Sequence, residues 1–197
     1  GSRGLGDVYK RQEWKRLSEE EKGSVALEVM LRGICKKENF LDLLENFILF
    51  DHSDGHTVKI LARNHQYLGV NEAVKAYESR KLNDGKLGVF WHTQGSGKSY
   101  SMVFLAQKIR RKYAGSPTIV ILTDREELNT QISDTFENCG LLGKVEASQF
   151  IASSGDDLVQ KLKGNPSFIF TLIQKFNQPN LEPIYPCLLY TSDAADD

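Results

Sequence analysis

The sequence predicts an α/β protein built around a short parallel sheet, and three observations carry that expectation. Residues 118–122 (TIVIL) and 167–173 (SFIFTLI) are unbroken apolar runs rich in β-branched residues, the composition of parallel strands covered on both faces. A stretch of helical period joins them. Upstream, residues 87–91 (LGVFW) form a further apolar run that leads through HTQGSGKS, residues 92–99, into an amphipathic segment starting at Tyr100. Strand, helix, strand, helix, strand with these lengths makes a right-handed parallel α/β layer.

The segment between the first strand and its helix carries chemistry. Phosphate oxygens are multiply charged, and a protein binds them where several backbone N–H groups converge without side chains in the way. Gly95 and Gly97 clear that approach. Lys98 follows, able to reach β and γ phosphates; Ser99 offers a hydroxyl to Mg²⁺, and the helix adds the positive end of its dipole. The general pattern G-x-x-x-x-G-K-[ST] wants glycine where this chain has His92, so the match is to its final, more chemical half.

The remaining elements follow from period and punctuation. Residues 13–38 are charged and helical in period, with Leu17, Val25, Leu27, Val29, Met30 and Ile34 as an apolar stripe and Gly33 near its end. Asn39 is the expected cap of a second helix carrying Phe40, Leu41, Leu43, Leu44, Phe47 and Ile48, an apolar density that implies burial. A polar turn spans residues 51–55. His52 and His56 there read as exposed turn residues and not as metal ligands.

Residues 57–61 form a short strand candidate, residues 65–79 a helix with Tyr67, Val70, Val74 and Tyr77 on one face, and Asn83-Asp84-Gly85 a turn. The helix after HTQGSGKS buries Met102, Val103, Leu105, Ala106 and Ile109. Its basic end, Lys108, Arg110, Arg111 and Lys112, reads as a solvated last turn complementing the dipole. Gly115 and Pro117 stop it. Leu128, Ile132 and Phe136 mark the inner face of the next helix, and Asp156 and Asp157 the first turn of another.

Both ends of the 197 residues look like something other than native protein. Residues 2–12 (SRGLGDVYKRQ) look like the in-frame translation of a sequencing-adapter transposon end, and residues 187–197 (CLLYTSDAADD) like its partner read from the opposite strand. Neither tail is expected to belong to the native fold, leaving about residues 13–186 as a piece of a longer gene. Three of the 25 Lys+Arg and four of the 26 Asp+Glu lie in the tails, so 22 of each remain. A neutral balance leaves any nucleic-acid contact to a local patch. Cys35 and Cys139 are isolated, without metal-ligand spacing, and read as buried or inert thiols of a cytoplasmic protein. No apolar run approaches the roughly 18 residues that span a bilayer, so no membrane role is expected.

Four residue sets then line up in order: ARNHQY at 62–67, FWHTQGSGKS at 90–99, LTDREELNTQI at 122–132 and TLIQKF at 171–176. Together they resemble the first motor lobe of superfamily 2 helicases, most closely the restriction (R) subunit of type I restriction-modification enzymes. The resemblance covers nearly all of residues 13–186. It implies a P-loop NTPase with an incomplete RecA-like sheet: residues 13–56 a helical connector after a nuclease domain, residues 57–186 a truncated first RecA-like lobe.

It also implies ATP and Mg²⁺ as cofactors, with Gln66, Thr93, Gln94, Gly95, Ser96, Gly97, Lys98, Ser99 and Tyr100 at the nucleotide. Gln66 would read the adenine edge, Lys98 would be the catalytic cation on the triphosphate, and Ser99 would hold Mg²⁺. His92 in place of glycine agrees with the family's own pattern. Thr123, Arg125, Thr171 and Gln174 would contact DNA or couple it to ATP, Arg125 as the phosphate contact. The implied partners are double-stranded DNA and the methyltransferase and specificity subunits of the complex.

No acidic D-E-x-H motif follows residues 167–176, so the Asp for Mg²⁺ and the Glu for the attacking water are unmatched, and this segment alone is expected to be inactive. Two alternatives stay open: the lobe of another superfamily 2 helicase, and a nucleotide- or DNA-binding module that never hydrolyses.

Overall fold

The computed structural model describes residues 31–176 except 54 and 94, together with the backbone of residues 189–191. The adapter-like N-terminus, residues 13–30 of the first helical stripe, and Gln94 lie outside the described residues. Residues 31–34 are helical, and helix α1 then runs Lys37–Asn46. Its N-cap is Lys36 and not Asn39. Asn39 sits inside the helix, where its side-chain amide donates to the Gly33 carbonyl at 2.7 Å and so closes the preceding turn.

The apolar density of α1 is only half buried. Leu43 and the following Phe47 are in the core, while Phe40, Leu41 and Leu44 face outward. Ile48, read as helical, instead opens strand β1 (Ile48–Asp51), because Phe47 leaves the helix and the chain turns back. β1 pairs antiparallel with β2 (Val58–Leu61), in the register Ile48↔Leu61 to Asp51↔Val58. A domain boundary at residues 56/57 would cut this hairpin in two. His52 and His56 are exposed in its turn, as expected, and His52 Nδ1 lies 3.0 Å from the Thr57 hydroxyl.

Helix α2 (Asn64–Glu78) packs on helix α3 (Lys98–Lys112) through Val70, Val74, Tyr77, Phe104 and Ile109. Between them, residues 86–93 form no strand, contrary to the expectation for residues 87–91. Val89 and Trp91 are 90% and 76% exposed. The physical reason is the sheet's pairing. Strand β3 (Ile119–Thr123) has β4 (Phe168–Leu172) on one side, and its other side is taken by β5 (Leu189–Thr191), which lies inside the segment read as adapter-derived. All three strands run parallel.

The β3–β4 pair appears as the sequence predicts, with Ile119↔Phe168 to Thr123↔Leu172 in register. On one face Ile121, Phe168 and Phe170 join the main core with α3 and helix α4 (Glu126–Asn138). Phe136 of α4 meets Phe168 and Phe170 edge-on at 5.4 and 5.3 Å. On the other face Val120, Leu122 and Ile169 pack on Leu158 of helix α5 (Gly155–Lys163). Burying each such aromatic or aliphatic side chain contributes about 1.5–3 kcal/mol, which is why the sheet needs helices on both sides. Ser154 caps α5 by accepting from the Asp157 N–H.

The basic end of α3 is not simply solvated. Lys108 is buried, its ammonium 2.5 Å from Asp42 of α1 and 2.5 Å from Asn71 of α2. Arg111 donates to the Glu45 carbonyl, and Lys112 pairs with Glu78 at 2.7 Å. Helical period marks a face as polar, and here acids of two other helices meet it. Cys139 is half-buried, its thiol pushed up to about 12 by burial first and by the Asp51 charge second, so it is inert. Cys35, expected to be buried or inert, is exposed. Among the described residues no helix is long and apolar enough to cross a membrane, and no group of three potential metal ligands occurs.

Candidate functional site

Residues 95–99 turn sharply into α3. Gly95 and Gly97 have φ of +72° and +83°, left-handed values that cost a residue with a Cβ but not glycine. Gly97 is the N-cap of α3. The first N–H groups of a helix have no partner within it, so this 15-residue helix presents open donors and its positive dipole end where the glycines clear the backbone. Space beside Gly95 is open: a Cβ built there meets nothing within 4 Å among the described residues. Lys98 is half-buried and makes no ion pair among the described residues, which leaves its ammonium available. Ser99 is half-buried beside it, Thr93 is exposed, and the Ser96 hydroxyl is buried without a partner among the described residues.

The loop is held from behind by α2. Gln66 is 3% exposed; its Oε1 accepts from the Arg63 N–H at 2.7 Å, and its Nε2 donates to the Gly97 carbonyl at 2.9 Å. The amide that the resemblance assigns to the adenine edge is therefore turned inward, tying α2 to the loop. Its neighbour His65, which the sequence did not single out, places Nε2 3.0 Å from the Ser96 carbonyl. Only the placement of α2 against the loop makes that role visible. Tyr100 also differs from expectation. Its hydroxyl donates to Asp51 at 2.5 Å, joining α3 to the end of β1. Burial raises the Asp51 carboxyl, but the Tyr100 hydroxyl, the Ser53 N–H and hydroxyl, and nearby His52 together hold it below the usual carboxylate value.

The four residues assigned to DNA gather at the C-terminal ends of β3 and β4, where open parallel sheets place their ligands, but only two reach solvent. Thr123 is 3% exposed, and its hydroxyl donates to the Arg125 carbonyl at 3.3 Å. Thr171, in β4, is fully buried. Direct DNA contact does not fit either threonine, because both side chains are buried. Arg125 is exposed, 3.7 Å from Asp124, and Gln174 donates to the Asp124 carbonyl at 3.0 Å.

A family model described as SWI2/SNF2 ATPase matches residues 65–193, a span from His65 through the loop and both strand ends. The chain belongs to the SWI2/SNF2 ATPase family. Membership implies a RecA-like fold and ATP binding, in keeping with the parallel β3–β4 pair and the glycine turn into α3. The chain is 38% identical over 193 residues to the type I restriction enzyme HindI endonuclease subunit of Haemophilus influenzae, covering 92% of this chain and 18% of that protein. It is 34% identical over 169 residues to an endonuclease subunit assigned to the type I restriction enzyme MjaIXP of Methanocaldococcus jannaschii, covering 83% of this chain and 15% of that protein. The chain thus spans less than a fifth of the length of the curated relatives it matches.

Proposed function

We propose that this chain is the nucleotide-binding part of the ATP-driven, DNA-translocating and DNA-cleaving subunit of a type I restriction enzyme. The observation that carries the proposal is the start of α3: two glycines with positive φ, open helix N–H groups and an ammonium without an ion-pair partner among the described residues. That donor set fits a triphosphate, with polyanion charge met by Lys98 and by backbone dipoles. ATP with Mg²⁺, when bound, supplies the phosphoanhydride whose cleavage drives the motor. The chain's own residues bind and orient. Gly95 keeps the approach open, Lys98 meets the β and γ oxygens, and the Ser99 hydroxyl is the Mg²⁺ ligand. Gln66 holds the loop through the Gly97 carbonyl.

Arg125 and Gln174, exposed at the strand ends, are the groups available to DNA phosphates, with Thr123 bracing that loop from inside. The parent protein acts on double-stranded DNA together with methyltransferase and specificity subunits, in the cytoplasm. Kinship with two type I endonuclease subunits supports this choice over other motors.

Titrating the chain with MgATP by calorimetry tests the reading. Lys98→Ala is expected to weaken binding about tenfold or more, since it removes the side-chain charge on the phosphates, while the melting temperature holds. Equal affinity in the variant would sink the assignment.

A further inference from the structure

The resemblance gives no role to His65, yet its ring is built into the phosphate loop. Ser96 and Gly97 offer consecutive carbonyls to the first turn of α2, the former to His65 Nε2 at 3.0 Å and the latter to Gln66 Nε2 at 2.9 Å. The two differ in what else holds them. The Gly97 carbonyl also accepts from the Ser101 N–H at 3.1 Å and the Ser101 hydroxyl at 3.3 Å, so the helix fixes it even without Gln66. The Ser96 carbonyl has His65 alone among the described residues.

A trans peptide is planar, with its carbonyl and the next N–H pointing in opposite directions. Whatever orients the Ser96 carbonyl therefore orients the Gly97 N–H, which donates to no described group. We infer that His65 is a positioning residue: by drawing the Ser96 carbonyl toward α2 it aims the Gly97 N–H away from α2, at the phosphates of the nucleotide. This rests on the nucleotide reading above.

The imidazole is itself braced. Its centroid lies 4.6 Å from that of His92, which meets Phe90 edge-on at 4.4 Å. Phe90 in turn lies on Gly69 of α2, so closely that a Cβ there would fall 1.8 Å from its ring. The ring stack starts and ends on α2. It fixes His65 without using the loop's own donors, and it requires Nε2 to carry the proton, since a carbonyl only accepts.

The test uses the full chain with MgATP and adenosine as probes. His65→Ala is expected to lower MgATP affinity about tenfold while leaving adenosine affinity and melting temperature unchanged, because a misaimed donor to a charged acceptor is lost. His65→Gln puts an amide N–H at nearly the same reach and is expected to restore it. In the free chain the Gly97 amide resonance should move in His65→Ala and return in His65→Gln. Unchanged MgATP affinity in His65→Ala, failure of Gln to rescue, or an unmoved Gly97 resonance would each overturn the inference. A chain in which neither wild type nor Lys98→Ala binds MgATP would overturn the nucleotide reading instead, and the resonance would still decide the role of His65.

Discussion

Lys108 sits on the buried side of α3 with its ammonium between Asp42 and Asn71 and 4.9 Å from the Phe47 ring centroid. A lysine this deep persists because each of its neighbours accepts from it or faces it with electron density. Truncating it leaves Asp42 partly buried without its cation, and removing one partner of a buried pair costs about 3–5 kcal/mol. Lys108→Ala is therefore expected to lower unfolding free energy by about that much in urea titrations, while Arg110→Ala, on the exposed side of the same turn, should change it by less than about 1 kcal/mol. Equal effects would mean that the Asp42 contact contributes nothing. The sequence marks Lys108 only as one of four bases at a helix end. Its acid lies 66 residues away on another helix, and no local pattern encodes that meeting. Lys98 is the contrary case: the residues that define its role are its chain neighbours, so it was legible at once.

The turn into α3 depends on backbone geometry that one methyl group can disturb. At Gly97 a Cβ would stand 2.9 Å from Gln66 Nε2, and the φ of +83° adds about 1–2 kcal/mol of strain for any L-residue. Gly95 has similar φ but open space beside it. Gly97→Ala is therefore expected to weaken MgATP binding more than Gly95→Ala does, because only the former drives a methyl against Gln66 and so shifts the backbone that carries the Gly97 N–H; paired calorimetric titrations measure the difference. The elements around this turn were legible where period and punctuation agreed, as for α2, α3, β3, α4 and β4. β1 was not, because ILFD continues the apolar run of α1 and nothing local distinguishes a further helical turn from a strand. Its partner β2 and the Asp51–Tyr100 bond decide the matter through contacts distant in sequence.

Two features of the whole molecule belong together: a five-residue apolar run without a strand to join, and a sheet edge held by a three-residue segment. Leu87 to Trp91 leads directly into the phosphate loop, and α3, which follows it, packs on α4 against the sheet. A strand at residues 87–91 would match the five residues of β3 and complete a right-handed crossover to it. Strand β5 covers only Val120 to Leu122 of that edge. Removing residues 187–197 vacates the edge, and burying Val89, 90% exposed, is worth about 1.5–3 kcal/mol to a segment that takes the place. We expect the shortened chain to keep its affinity for MgATP and to gain amide hydrogen-exchange protection across residues 87–91, since those N–H groups would then enter the ladder. Persistent fast exchange there, with the shortened chain still folded, would show that the run does not belong beside β3.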